Sequence, residues 1–247
     1  MKKTLLQIAC FFIVFTSVAQ NDLTNKNLYN DTYVPENVID KKYGIVMYEK
    51  LNILLGGDTV RNKNGYAANG FVQDFYKTGE LLHKGFYVDG QLKIYKNYFP
   101  NGKVERNFRM VDLKKGKMDI FYEDGTPKTK VFYIDGEAQR WEDFYSNGTL
   151  EYIEVYDKSI TYYIEKGNFH ENGSVENSLV LENKKKMLYT QTYYHKNTNV
   201  KEVGQMQYDK SMFDYVRLGT WKQFDENGKQ TKAVKYANGE VQSEKEF

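Results

Sequence analysis

Between Phe75 and Gly148 the chain alternates apolar and polar positions in short runs, and one recurring phrase punctuates them. It reads Phe-Tyr-Lys-Thr-Gly at 75–79, Tyr-Phe-Pro-Asn-Gly at 98–102, Phe-Tyr-Glu-Asp-Gly at 121–125 and Phe-Tyr-Ser-Asn-Gly at 144–148. The glycines return every 23 residues, a period that marks a repeat architecture rather than a compact single-core enzyme. Looser copies follow, with Gly173, Thr198 and Gly228 in the glycine's place after steps of 25, 25 and 30.

Four residues before each of these positions stands an aromatic: Phe75, Tyr98, Phe121, Phe144, Phe169, Tyr194 and Phe224. Eight residues after them comes a large apolar side chain, from Tyr87 and Met110 to Tyr236. Asn-Gly and Asp-Gly supply the positive φ angles of tight hairpin turns, and the flanking runs are rich in aromatic and β-branched residues. Each unit is therefore expected to be one β-hairpin, with Gly90, Gly136 and Gly239 turning the chain into the next. Asn197-Thr198 departs from the pattern, because a β-branched residue at positive φ is costly, and a wider turn is expected there. The unit leaves no room for a crossover helix. The expected fold is all-β, an elongated single-layer antiparallel meander of stacked β-hairpin repeats advancing roughly 10 Å per unit.

The ends read differently. Lys2 and Lys3, an apolar run from Leu5 to Phe15 and small residues at Ser17 and Ala19 have the form of an export signal. The run is too short to cross a bilayer, which takes about 20 apolar residues. The expected division is a signal peptide over 1–19, an N-terminal tether and cap over 20–64 with Gly56 in a degenerate unit, and repeats over 65–247. Cleavage near Ala19 would send the chain to the periplasm, the cell envelope or the medium.

Cys10 is the single cysteine and lies inside the apolar run, so the processed chain offers no disulfide and no thiolate site. Lys2 and Lys3 leave with the signal, and 35 basic residues become 33 against 33 acidic ones. A neutral chain argues against a nucleic-acid partner.

Candidate chemistry is sparse. His170 and His195 hold the same place in successive units, but no nearby ligands complete a metal set, and they read as substitutes in a row of flat rings. Glu105, Glu151 and Glu176 recur three residues after the glycine, interleaved with Lys128 and Lys201. A glycosidase can use two carboxylates, but a repeated ladder of both signs reads as a solvated face. The basic runs at Lys114, Lys115, Lys117 and at Lys184–Lys186 are shorter than a lipid-binding cluster. The remaining feature is the row Tyr76, Phe99, Tyr122 and Tyr145. Alternation sets it on the face opposite Phe75 and its counterparts, where it is the candidate contact surface.

The unit Gly-x-x-x-x-Phe-Tyr-x-x-Gly, at Gly70 to Gly79 and Gly116 to Gly125, resembles the MORN family and in particular its bacterial variant repeat, found in proteins labelled YwqK-type antitoxins. The copy from Gly219 to Gly228 has Asp225 in place of the tyrosine and adds Trp221, as the family often does. The resemblance covers about Gly65 to Val241. It implies a single-layer sheet used for protein contacts, dimerisation or membrane association, and carries no catalytic residue and no cofactor.

The expected function is that of an exported, non-enzymatic scaffold binding a protein or an envelope polymer. The alternatives are a glycan-active hydrolase using the sheet carboxylates, and antitoxin-like neutralisation of a partner.

Overall fold

The computed structural model describes residues 62–63, 66–76, 78–112 and 114–247. The expected signal, the tether and the unit at Gly56 lie outside the described residues. Strands β1 (Asn62–Lys63) and β2 (Tyr66–Ala67) form a small antiparallel pair of their own.

Fifteen further strands make one open antiparallel sheet in which each strand pairs with its neighbours in sequence. They are β3 (Gly70–Phe75), β4 (Leu81–Val88), β5 (Gln91–Tyr98), β6 (Val104–Met110), β7 (Lys115–Phe121), β8 (Pro127–Ile134), β9 (Glu137–Phe144) and β10 (Leu150–Tyr156). The meander continues through β11 (Tyr163–Phe169), β12 (Val175–Asn183), β13 (Leu188–Tyr194), β14 (Val200–Asp209), β15 (Asp214–Phe224), β16 (Gln230–Ala237) and β17 (Glu240–Glu246). This is the elongated meander of stacked hairpins that the repeat predicts, with no helix between units among the described residues.

The two ends of the hairpins turn by different means. Asp89-Gly90, Asp135-Gly136 and Asn238-Gly239 have both φ angles positive, near 50° and near 80°, which is the two-residue turn that follows the right-handed twist of the strands. At the repeated phrase only the glycine is positive. Gly102 N–H donates to the Phe99 carbonyl and Phe99 N–H to Lys103 O, so the turn is a three-residue loop closed by a left-handed residue. The Asn101 side chain instead accepts from the Lys103 amide at 2.9 Å.

The wider turn expected at Thr198 is not there. Thr198 takes φ 73° and makes the same pair of backbone bonds as the glycines, to His195 O at 2.9 Å and from His195 N to Asn199 O at 2.8 Å. Its neighbours hold it in place, because Asn197 and Asn199 both donate to the Glu226 carbonyl at 2.7 Å.

Each phrase is followed by a β-bulge. Phe75 pairs with Leu81 while Asp74 pairs with His83, which leaves Leu82 unpaired. The same irregularity places an extra residue at Glu105, Lys128, Glu151, Glu176, Lys201 and Thr231. An extra residue bends the strand and increases its twist.

Register separates the two faces. On the inner face Tyr95, Phe108, Met118, Val131 and Trp141 stand directly opposite one another across β5–β9, and all are buried. Tyr95 stacks on Phe108 with centroids 5.5 Å apart. Glu154 and Lys166 continue that row on β10 and β11, followed by Leu179, Gln191 and Gly204. After a bulge, Trp221 and Val234 complete it, both buried. The rings from Phe75 to Phe224 lie near the turns on the outer face. Six of them are half-buried and Phe75 is 43% exposed, so they form a uniform fringe while the fully buried rings are those of the inner face.

Candidate binding face

The row expected as a contact surface is partly buried. Tyr76 and Phe99 are buried, and Tyr122 and Tyr145 are half-buried. The Tyr76 hydroxyl donates to the Tyr98 carbonyl of the next turn at 2.7 Å, Tyr122 to Phe144 O at 2.8 Å and Tyr145 to Phe169 O at 2.8 Å. Burial, and then the nearby Glu105 carboxylate, push the Tyr76 phenol up to about 12, which keeps it a donor. The hydroxyls of Tyr76, Tyr122 and Tyr145 thus strap their turns to the following ones, while Phe99 is buried without such a bond.

His195 continues this strap, as its place in the repeat predicts. Its Nε2 lies 2.9 Å from the Phe224 carbonyl, and since a carbonyl only accepts, Nε2 carries the proton. His170 makes no such bond among the described residues, and a shallow cavity opens there between His170, Glu171, Asn172 and Lys196. The described residues contain no cluster of three His, Cys, Asp or Glu side chains that could hold a metal.

The three recurring carboxylates do not form one set. All occupy bulge positions, but Glu105 is fully buried beside Arg106 at 3.3 Å, Glu151 is half-buried and Glu176 is exposed. The solvated reading holds at Glu176 and fails at Glu105, although both occupy the same bulge position. Glu105 borders a buried polar row of the inner face, Asp74, His83, Asn97 and Arg106, paired strand to strand. Within it His83 Nδ1 lies 2.7 Å from Asn97 Oδ1.

Toward the C-terminus the inner face becomes tyrosine-rich. The Tyr156 hydroxyl donates to Tyr163 at 2.8 Å with ring centroids 4.4 Å apart, and Tyr215 packs against Tyr163, Tyr189 and Tyr208. Burial, and then Glu154, raise the Tyr152 phenol, which donates to Glu154 at 2.6 Å. Arg217 is clamped nearby. It binds both Glu202 oxygens at 3.1 Å, donates to the Tyr236 hydroxyl at 3.1 Å and lies 3.9 Å from the Trp221 ring centroid.

The outer face is the open one. Phe71 is 68% exposed, Ile94 46% and Val180 40%. Register places Phe71, Phe86 and Ile94 in one row and Lys84 and Lys96 in the next. Contiguous basic runs in the sequence do not reveal these residues, because strand alternation distributes a charged row over several hairpins.

A family model described as MORN repeat variant matches residues 217–229, the segment from the Arg217 clamp to the turn at Gly228. A MORN-like repeat is shown at that segment. No curated protein matches the chain. Among solved structures, a mutant of S. aureus TarM in complex with fondaparinux, alpha-GlcNAc-glycerol and UDP is similar at 21% identity, over 36% of this chain and 18% of that one, with a TM-score of 0.27. A second TarM structure is similar at 19% identity, over 58% of this chain and 23% of that one, with a TM-score of 0.26. The chain thus spans less than a quarter of either, and scores this low bear on neither fold nor activity. The architecture itself is an all-β repeat of the kind that serves as a structural or protein-binding module.

Proposed function

We propose that this chain is an exported, non-catalytic β-repeat module that holds a protein or an envelope polymer against the outer face of its sheet. The observation that supports this reading is the outer face itself, where Phe71, Ile94 and Val180 remain exposed among charged residues on a regular sheet. Contiguous apolar patches rimmed by polar groups, as from Phe71 through half-buried Phe86 to Ile94, mark interaction surfaces. The inner face is unsuited to this role over β4–β9, because its rings and its polar row are already buried.

The test is retention of the purified chain on an insoluble cell-envelope fraction, compared with Phe71→Ser/Ile94→Ser/Val180→Ser. The substitutions are on exposed positions and leave the fold intact by thermal melt. Retention of the wild type and its loss in the triple variant is the expected result. Equal retention of the two proteins, or of neither, overturns the reading.

A further inference from the structure

We infer that the outer face of β4–β9 is a binding track for a linear anionic polysaccharide, an inference that rests on the proposed function and names the chemistry of its partner. Six consecutive strands present an exposed cation there, Lys84, Lys96, Arg109, Lys117, Lys130 and Arg140, and β7 adds Lys115, which is paired with Asp112. Lys84 stands directly opposite Lys96, and Arg109 directly opposite Lys117. Like charges facing each other across strands destabilise a sheet, so the fold gives no reason for either pair. None of these four cations takes part in an ion pair among the described residues.

Acids are few in the same two rows. Asp119 stands opposite Lys130, and Glu142 is bonded to Arg140. The cations end at β9, for on β10 and β11 the corresponding positions hold Ile153, Val155, Glu165 and Gly167. The charge is therefore a bounded track, with one cation about every 4.8 Å along the sheet.

Rings fill the spaces between the charges. Phe86 and Phe132 are half-buried in the same row as Ile94, Arg109 and Lys117. Lys84 sits 5.3 Å from the Phe71 centroid and Lys130 5.0 Å from that of Phe144. Aromatic faces beside spaced cations suit a chain of carboxylated or sulfated sugars, whose C–H faces pack on rings while the acid groups meet the ammonium and guanidinium groups. A nucleic acid fits less well, since the whole chain carries a formal charge of only +2. A lipid surface fits less well too, because the cations lie on flat strands with the rings half-sunk among them.

The experiment measures binding of the full chain to oligomeric polygalacturonate at low and high salt. Neutral dextran, single-stranded DNA and phosphatidylglycerol vesicles are the comparison arms. The variant is Lys84→Gln/Lys96→Gln/Arg109→Gln/Lys117→Gln, with an unchanged melt as the folding control. The expected result is saturable, salt-sensitive binding of polygalacturonate, weakened about tenfold or more in the variant, with dextran unbound. No binding of polygalacturonate, equal binding by the variant, or tighter variant-sensitive binding of DNA or vesicles overturns the inference. Envelope retention that persists while polygalacturonate is ignored removes this inference alone, whereas loss of both removes the proposed function with it.

Discussion

Trp221 covers Gly204: a methyl group placed on that glycine would lie far inside van der Waals contact with the indole. The indole is fully buried, and its N–H donates to the Gln205 carbonyl at 3.0 Å. The absence of a side chain on β14 is what lets the ring on β15 cover the sheet. Gly204→Ala is expected to cost about 1–3 kcal/mol through overpacking and Trp221→Ala about 3–5 kcal/mol through the cavity it leaves. In Gly204→Ala/Trp221→Ala the clash is gone, so the double variant should be more stable than the sum of the singles predicts. Urea unfolding of the four proteins measures this coupling, and strict additivity would show that ring and glycine do not meet.

The turn straps give a loss and a gain. Tyr145→Phe removes a hydroxyl that donates to Phe169 O at 2.8 Å and should cost about 0.5–1.5 kcal/mol. His170 occupies the equivalent position without that bond among the described residues. His170→Tyr is therefore expected to supply the missing strap and stabilise the chain by about 0.5–1 kcal/mol, read as a higher Tm.

Thr198 holds a left-handed backbone, φ 73°, where the other units have glycine. A non-glycine residue in that region stores about 1–3 kcal/mol of strain. Thr198→Gly should accordingly raise stability by about 1 kcal/mol despite the added freedom of the unfolded chain. A denaturant midpoint that falls instead would mean that the threonine side chain contributes more than its backbone costs.

Asp157 organises the loop between β10 and β11. Burial opposes its ionisation, but the Ser159 hydroxyl and the amides of Ser159 and Thr161 outweigh it and hold the carboxyl at about 2. A carboxylate with a depressed folded pKa adds stability that is complete above its unfolded value, 3.8, and is lost as pH falls through the folded one. Between about pH 4 and 2 the wild type should lose this increment, while Asp157→Asn shows no such loss from this site. Amide exchange of Ser159 and Thr161 across that range reads it locally.

The repeat was legible because turn chemistry leaves little freedom. A left-handed residue must close each phrase, so Gly79, Gly102, Gly125 and Gly148 mark the hairpins wherever strands begin and end. Which face is covered was not legible. Alternation puts Tyr122 and Phe121 on opposite faces but carries no information on what lies over each, and the strap to Phe144 O depends on the height of the next turn. The bulges were invisible for a related reason. An extra residue leaves the spacing of glycines unchanged while it takes one side chain out of register, and at that one position Glu105 is buried and Glu176 exposed. The outer-face cations were dispersed by the same alternation, since Lys84 and Lys96 adjoin in space but stand in different strands.

Cross-linking between repeats tests the continuous sheet most directly. In a Cys10→Ser background, Arg109→Cys/Lys117→Cys joins directly opposed residues of β6 and β7, at the separation a disulfide requires. Arg109→Cys/Lys130→Cys spans an intervening strand and is out of reach. Rapid oxidation of the first pair with none of the second is the predicted result; bridging of the second pair, or failure of the first in a folded protein, would contradict a sheet in which each repeat braces the next.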